Sequence, residues 1–171
     1  MTPYGTTLSS AVDPQVESPS EFVVRVADAV AAREHLAKVA TVEQDLGDGQ
    51  LVVRVAEKAS SSRDAWQRIA NVLSPGEWAA PVMRDSTGEV HYPTGEVTVR
   101  FRKAPSDADL ARAGARLGLL PKRRNEFVRE QAVLAPIDAR ATFLPDVVKE
   151  LREDPGVEAA WASTRSSYRR A

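Results

Sequence analysis

Glu21-Phe-Val-Val-Arg-Val26 and Glu96-Val-Thr-Val-Arg-Phe101 repeat one pattern at an offset of 75 residues (96 minus 21), and the match decides how the chain divides. A second pair, Pro75-Gly-Glu-Trp-Ala-Ala80 and Pro155-Gly-Val-Glu-Ala-Ala160, recurs in the same order at an offset of 80 (155 minus 75). Short apolar strings match by chance, but two matches in order at nearly equal spacing predict a duplication. Within the first unit, Phe22, Val24 and Val26 alternate with Val23 and Arg25, so a strand with one buried face is expected. Ala29, Ala32, Leu36 and Val39 follow at helical spacing. Thr41 to Leu46, the turn Gly47-Asp48-Gly49 and Leu51 to Ala56 predict a hairpin. Ser61 with Asp64 three residues on suggests a capping box before a helix carrying Trp66, Ile69, Ala70 and Leu73 on one face. Pro75-Gly76 stops that helix, and Trp78 to Met83 is expected as an edge strand, because Pro81 cannot donate to a ladder.

The second unit repeats this order. Val97, Val99 and Phe101 are expected inward, with Thr98, Arg100 and Arg102 outward. Ser106 and Asp109 cap a helix lined by Leu110, Ala113, Gly114 and Leu117, with Gly118 just past its end. Strands are expected over 121–127 and 131–135. Pro145 opens a helix with the stripe Leu144, Val147, Val148 and Leu151, and Asp154-Pro155-Gly156 separates it from a strand over 157–162. Each unit therefore predicts βαββαβ, and the chain an α+β fold of two tandem ferredoxin-like plaits, each an antiparallel sheet with both helices on one face. The expected division is a flexible leader over 1–20, a first unit over 21–84, a linker over 85–95 and a second unit over 96–171, whose tail is extended.

Composition narrows the chemistry. The 171 residues carry 23 Lys+Arg against 24 Asp+Glu, a net charge of -1, which gives no global attraction to nucleic acid or anionic membranes. With no Cys there is no disulfide, no thiolate metal ligand and no thiol nucleophile. The two histidines, His35 and His91, have no second ligand at helical or hairpin spacing beyond incidental acids, and no Walker loop, GxGxxG, HExxH or GxSxG string occurs. The expectation is a chain with no active site of its own and no cofactor. Lys122-Arg123-Arg124 reads as a solvated strand edge, and Trp66, Trp78 and Trp161 read as core. Met1 to Ser20 lacks the basic and apolar regions of a secretory signal, from which a cytoplasmic location is expected.

Val97-Thr-Val-Arg-Phe-Arg-Lys103, the Ser-capped helix from Asp107 to Leu117, the Arg-Arg-Asn strand, Gln131-Ala-Val-Leu and above all Val148-Lys-Glu-Leu-Arg-Glu-Asp-Pro-Gly-Val-Glu158 resemble the N-terminal prodomains of subtilisin-like serine proteases, in particular the fervidolysin-like type. The resemblance covers residues 96 to 171; the first unit carries the pattern without an equally diagnostic string. It implies an intramolecular chaperone and inhibitor of a subtilisin-like catalytic domain, acting in cis as a leader piece or in trans as a separate protein. Strand alternation puts the docking surface on the outward face, at Thr98, Arg100 and Arg102. The resemblance further implies that the tail occupies the substrate cleft through Ser167, Tyr168, Arg169, Arg170 and Ala171, with Ala171 in the first pocket and Tyr168 in the fourth. Two other readings remain: a pair of plaits that senses a small molecule between its units, and an RNA-binding plait. The latter needs aromatics on the central strands, which 51–56 and 131–135 do not supply.

Overall fold

The computed structural model describes residues 15–166. Eight strands and four helices follow one another as β1 (Val16–Arg25), α1 (Ala29–Leu36), β2 (Ala40–Gly47), β3 (Gln50–Val55), α2 (Ser62–Ala70), β4 (Trp78–Arg84), β5 (Val90–Phe101), α3 (Asp107–Leu117), β6 (Leu119–Arg124), β7 (Gln131–Pro136), α4 (Leu144–Glu153) and β8 (Val157–Ser166). The helix ends follow from local chemistry. Asp28 accepts from the amides of Val30 and Ala31 at the start of α1, and Ser61 accepts from Asp64 at the start of α2. Ser106 and Asp109 form a reciprocal capping box on α3, which Gly118 closes in the left-handed conformation at φ 68°. Pro145 stands within the first turn of α4, where its missing N–H costs nothing.

All strand pairs are antiparallel and all eight strands join one sheet, in the order β2-β3-β1-β4-β5-β7-β6 with β8 on β5. The architecture is α+β. The long strand β5 holds it together. Its first residues pair with β4 through Met83↔His91 and Arg84↔Val90, its last with β7, and β8 follows it from His91↔Ser166 to Phe101↔Val157. Between Pro93 and Val97 the register with β8 slips, and Gly95 sits in that bulge at φ 86°. A Cβ built on Gly95 would lie 2.7 Å from Cε2 of Trp78, so the indole rests on bare backbone at the bend.

Several expected boundaries change for physical reasons. Residues 85–95 are not a linker: Asp85 folds the chain into a tight turn and Val90 to Gly95 is already strand. Strand β1 starts at Val16, so Val16 and Glu17 of the expected leader pair with Arg84 and Met83 of β4; residues 1–14 lie outside the described residues. β4 is not a sheet edge, although only Met83 and Arg84 meet β5, and Pro81 falls on the stretch of that flank left unpaired. β6 begins two residues earlier than expected and stops at Arg124, leaving Phe127 in the following turn, 93% exposed.

Phe22, Val23 and Val24 are all fully buried, so β1 is covered on both faces rather than one. Phe22 and Val24 pack under α1 and α2 with Leu36, Leu51, Trp66 and Ile69. Val23, Val52, Trp78, Ala80 and Val82 look the other way and merge with the core of the second half, with Val90 and Tyr92 of β5 packed against them. Arg165 on β8 crosses to Gln50 on β3 at 2.7 Å. In return, Phe143 from the turn before α4 enters the first core and meets Trp66 at 5.4 Å between ring centroids. The two halves exchange side chains.

Candidate functional site

The outward face of β5, β7 and β8 is the surface that the sequence picks out. Opposed positions share a face, so Thr98 brings Val133 and Trp161 with it, and Arg100 brings Gln131 and Ala159. Thr98 is 6% exposed, and its hydroxyl shares a 2.7 Å hydrogen bond with the Ser163 hydroxyl. Arg100 donates to Oε1 of Gln131 at 3.4 Å and lies over the Trp161 ring at 5.8 Å, while its Nε is buried without a partner. At the flank, Arg123 of β6 pairs with Glu96 of β5 at 3.0 Å. The result is a half-buried patch of one indole, one guanidinium and small polar groups.

Three expectations about this face need restating. Thr98 and Arg100 lie on it together. Arg102 does not: β5 ends at Phe101, and the Arg102 side chain turns to the end of the sheet, where its Nε donates to the Pro155 carbonyl at 2.9 Å. Trp161, expected in the core, is half-exposed on the outward face because it opposes Thr98; Trp66 and Trp78 are buried. Alternation from the buried Val157 would turn Trp161 inward, but the register shift between Arg100 and Phe101 leaves Glu158 extra, so that Ala160 is buried and Trp161 faces out. Ser167, Tyr168, Arg169, Arg170 and Ala171 lie outside the described residues.

Two further clusters stand apart. In the β4–β5 turn, Oδ1 of Asp85 accepts from Thr87 N, Thr87 Oγ1 and Glu89 N, and Oδ2 lies 2.8 Å from Nε2 of His91. The Thr87 hydroxyl first, and His91 next, hold the Asp85 carboxyl far below the usual range. Glu89 joins them with one ligand atom from each residue within 4.8 Å. The turn's own hydrogen bonds already use both Asp85 oxygens. His91, at the start of β5, is therefore tied structurally to the turn through Asp85.

The other cluster is at the seam of the halves, where Glu17 on β1 approaches α2 and α4. Burial pushes its carboxyl above 4.5 and nearby Asp146 adds to the rise; the Ser62 hydroxyl opposes them in part. Asp146 is held at 2.8 Å by Arg63 across the same seam. Glu17 also lines a cleft of about 470 Å³ between β1 and β4 on one side and α4 and β8 on the other. No helix among the described residues is long and apolar enough to cross a membrane. Neither a scan against protein-family models nor a search of curated proteins returns a match to this chain.

Proposed function

We propose that the chain is a pair of ferredoxin-like plaits fused through β5, and that the second plait is a propeptide-like module that docks on a subtilisin-like serine protease as chaperone and inhibitor, in cis or in trans. In favour of the paired plaits, β1 to β4 take the order β4-β1-β3-β2 and β5 to β8 the order β8-β5-β7-β6, which is one strand order used twice. The docking role rests above all on a contrast between the two outward faces. That of the first half is filled by the protein's own residues, whereas that of the second keeps Trp161 and Arg100 half-exposed with a buried guanidinium nitrogen unsatisfied. Trp and Arg are the side chains that most often carry binding energy at protein interfaces. Strand β8 ends at Ser166, and on this reading the inhibitory tail follows it in sequence.

The test is inhibition of a bacterial subtilisin acting on a chromogenic peptide. The full chain is expected to inhibit in the micromolar range or tighter. Arg100→Glu should cost about 2 kcal/mol, close to thirtyfold in the inhibition constant, with an unchanged circular dichroism spectrum. Removal of Ser167 to Ala171 should weaken inhibition further. Equal inhibition by the Arg100 variant removes the face from the interface, and no inhibition by the full chain overturns the assignment. The reading of a small-molecule sensor draws on one observation, the cleft between the halves. The RNA reading fares worse: Trp161 is the one aromatic among the described residues of the outward face, against the two or three stacked bases such plaits hold.

A further inference from the structure

The seam between the halves holds a cavity whose lining is divided by chemistry. Its apolar lining includes Pro81 of β4, Leu144 and Val148 of α4 and Ala162 of β8. Its rim carries Lys149 and Arg152, three residues apart on α4 and so on one helix face. Arg152 is anchored by its Nε, which donates to the Ala160 carbonyl on the free edge of β8 at 2.9 Å. The rest of that guanidinium, and the Lys149 ammonium, have no ion-pair partner among the described residues. Two cations without an ion-pair partner among the described residues thus line a cavity of about 470 Å³, within the range of roughly 300–1,000 Å³ typical of small-molecule sites.

We propose that this cleft binds a small organic acid with an apolar body, its carboxylate held by Lys149 and Arg152 and its body lying on Pro81, Val148 and Ala162. Anchoring Arg152 through Nε leaves its terminal nitrogens in a fixed fork, the geometry that receives a carboxylate. Lys149 adds a mobile second donor. Glu153 also lines the cleft and is the acidic group beside these cations on α4; Glu17 lies towards the other end of α4, near Asp146. An uncharged analogue gains the apolar lining but forfeits the rim, so charge should discriminate between otherwise equal ligands.

The occupant contacts both halves at once, which a protein docked on the outward face does not require. The experiment therefore needs no protease, and its failure leaves that docking reading where it stood. Decanoate below its aggregation threshold is the probe, with 1-decanol as the neutral control. Decanoate is expected to bind saturably in equilibrium dialysis. Lys149→Glu, at an exposed position, should weaken binding at least tenfold. Ala162→Phe, which places a ring in the cleft, should abolish it with an unchanged circular dichroism spectrum; should that variant misfold, Lys149→Glu carries the test alone. Absence of saturable binding, decanol binding as tightly as decanoate, or undiminished binding by Lys149→Glu overturns the proposal.

Discussion

Truncating Phe143 to alanine tests whether the halves are one cooperative body. The residue precedes α4, in the second half by sequence, yet its ring is 7% exposed inside the first core and tilted against Trp66. Large-to-small changes of a buried Phe cost about 3–5 kcal/mol, and the lost aromatic pair adds to the upper part of that range. Taking about 4 kcal/mol, and 2–4 °C per kcal/mol for a chain of this size, the midpoint of thermal unfolding should fall by about 8–16 °C. The informative assay is urea unfolding followed at the same time by tryptophan fluorescence and far-ultraviolet circular dichroism. In the wild type the two probes should coincide, and in Phe143→Ala the single transition should move to lower urea with an unchanged slope. Two separated transitions in the wild type, or a loss under about 1 kcal/mol in the variant, would refute the argument that side chains exchanged across the seam bind the halves together.

Gly95→Ala should destabilise by about 2 kcal/mol or more in the same assay, because a side chain at positive φ is strained and its Cβ would strike the Trp78 indole. Glu17→Gln should raise the thermal midpoint at pH 7 and leave it unchanged near pH 4. The folded-state carboxyl lies above its ordinary 4.5, so the wild type loses stability as pH rises through that window and the amide does not. Asp85→Asn should show the opposite dependence. A carboxyl held below its ordinary 3.8 stabilises the fold above that pH and ceases to as pH falls, so the gap between wild type and variant, read as a difference in midpoint, should close on acidification.

What was legible in the sequence is the part governed by neighbours along the chain. The caps at Ser61 and Ser106, the stop at Gly118, the helix stripes and the element order βαββαβ twice over were readable because capping, turn chemistry and periodicity act within a few residues. Thr98 and Arg100 followed from alternation on β5. The joining of the halves was not legible. Ser86, Gly88, Pro93 and Gly95 look like linker residues, but Gly88 serves a tight turn and Gly95 a bulge, and β4 and β5 pair across that turn. Trp161 and Arg102 were misplaced for a related reason, since a register slip and a strand end both shift which way a side chain points. The cleft lined by Glu17, Lys149 and Arg152 brings together residues more than 100 positions apart, which no local pattern encodes.

The exchange of covering surfaces also orders events in time. The face of β1, β3 and β4 that bears Val23, Val52, Ala80 and Val82 is closed over by residues of β5, and its far corner is latched by Arg165. Arg165 leaves the ribosome 115 residues after Gln50, the side chain it holds. Until β5 and the strands after it follow, the first four strands present an oily, strand-edged surface of the kind that recruits chaperones or mispairs with neighbours. The half made first is thus closed only by the half made second, and synthesis of β8 is the step that completes both.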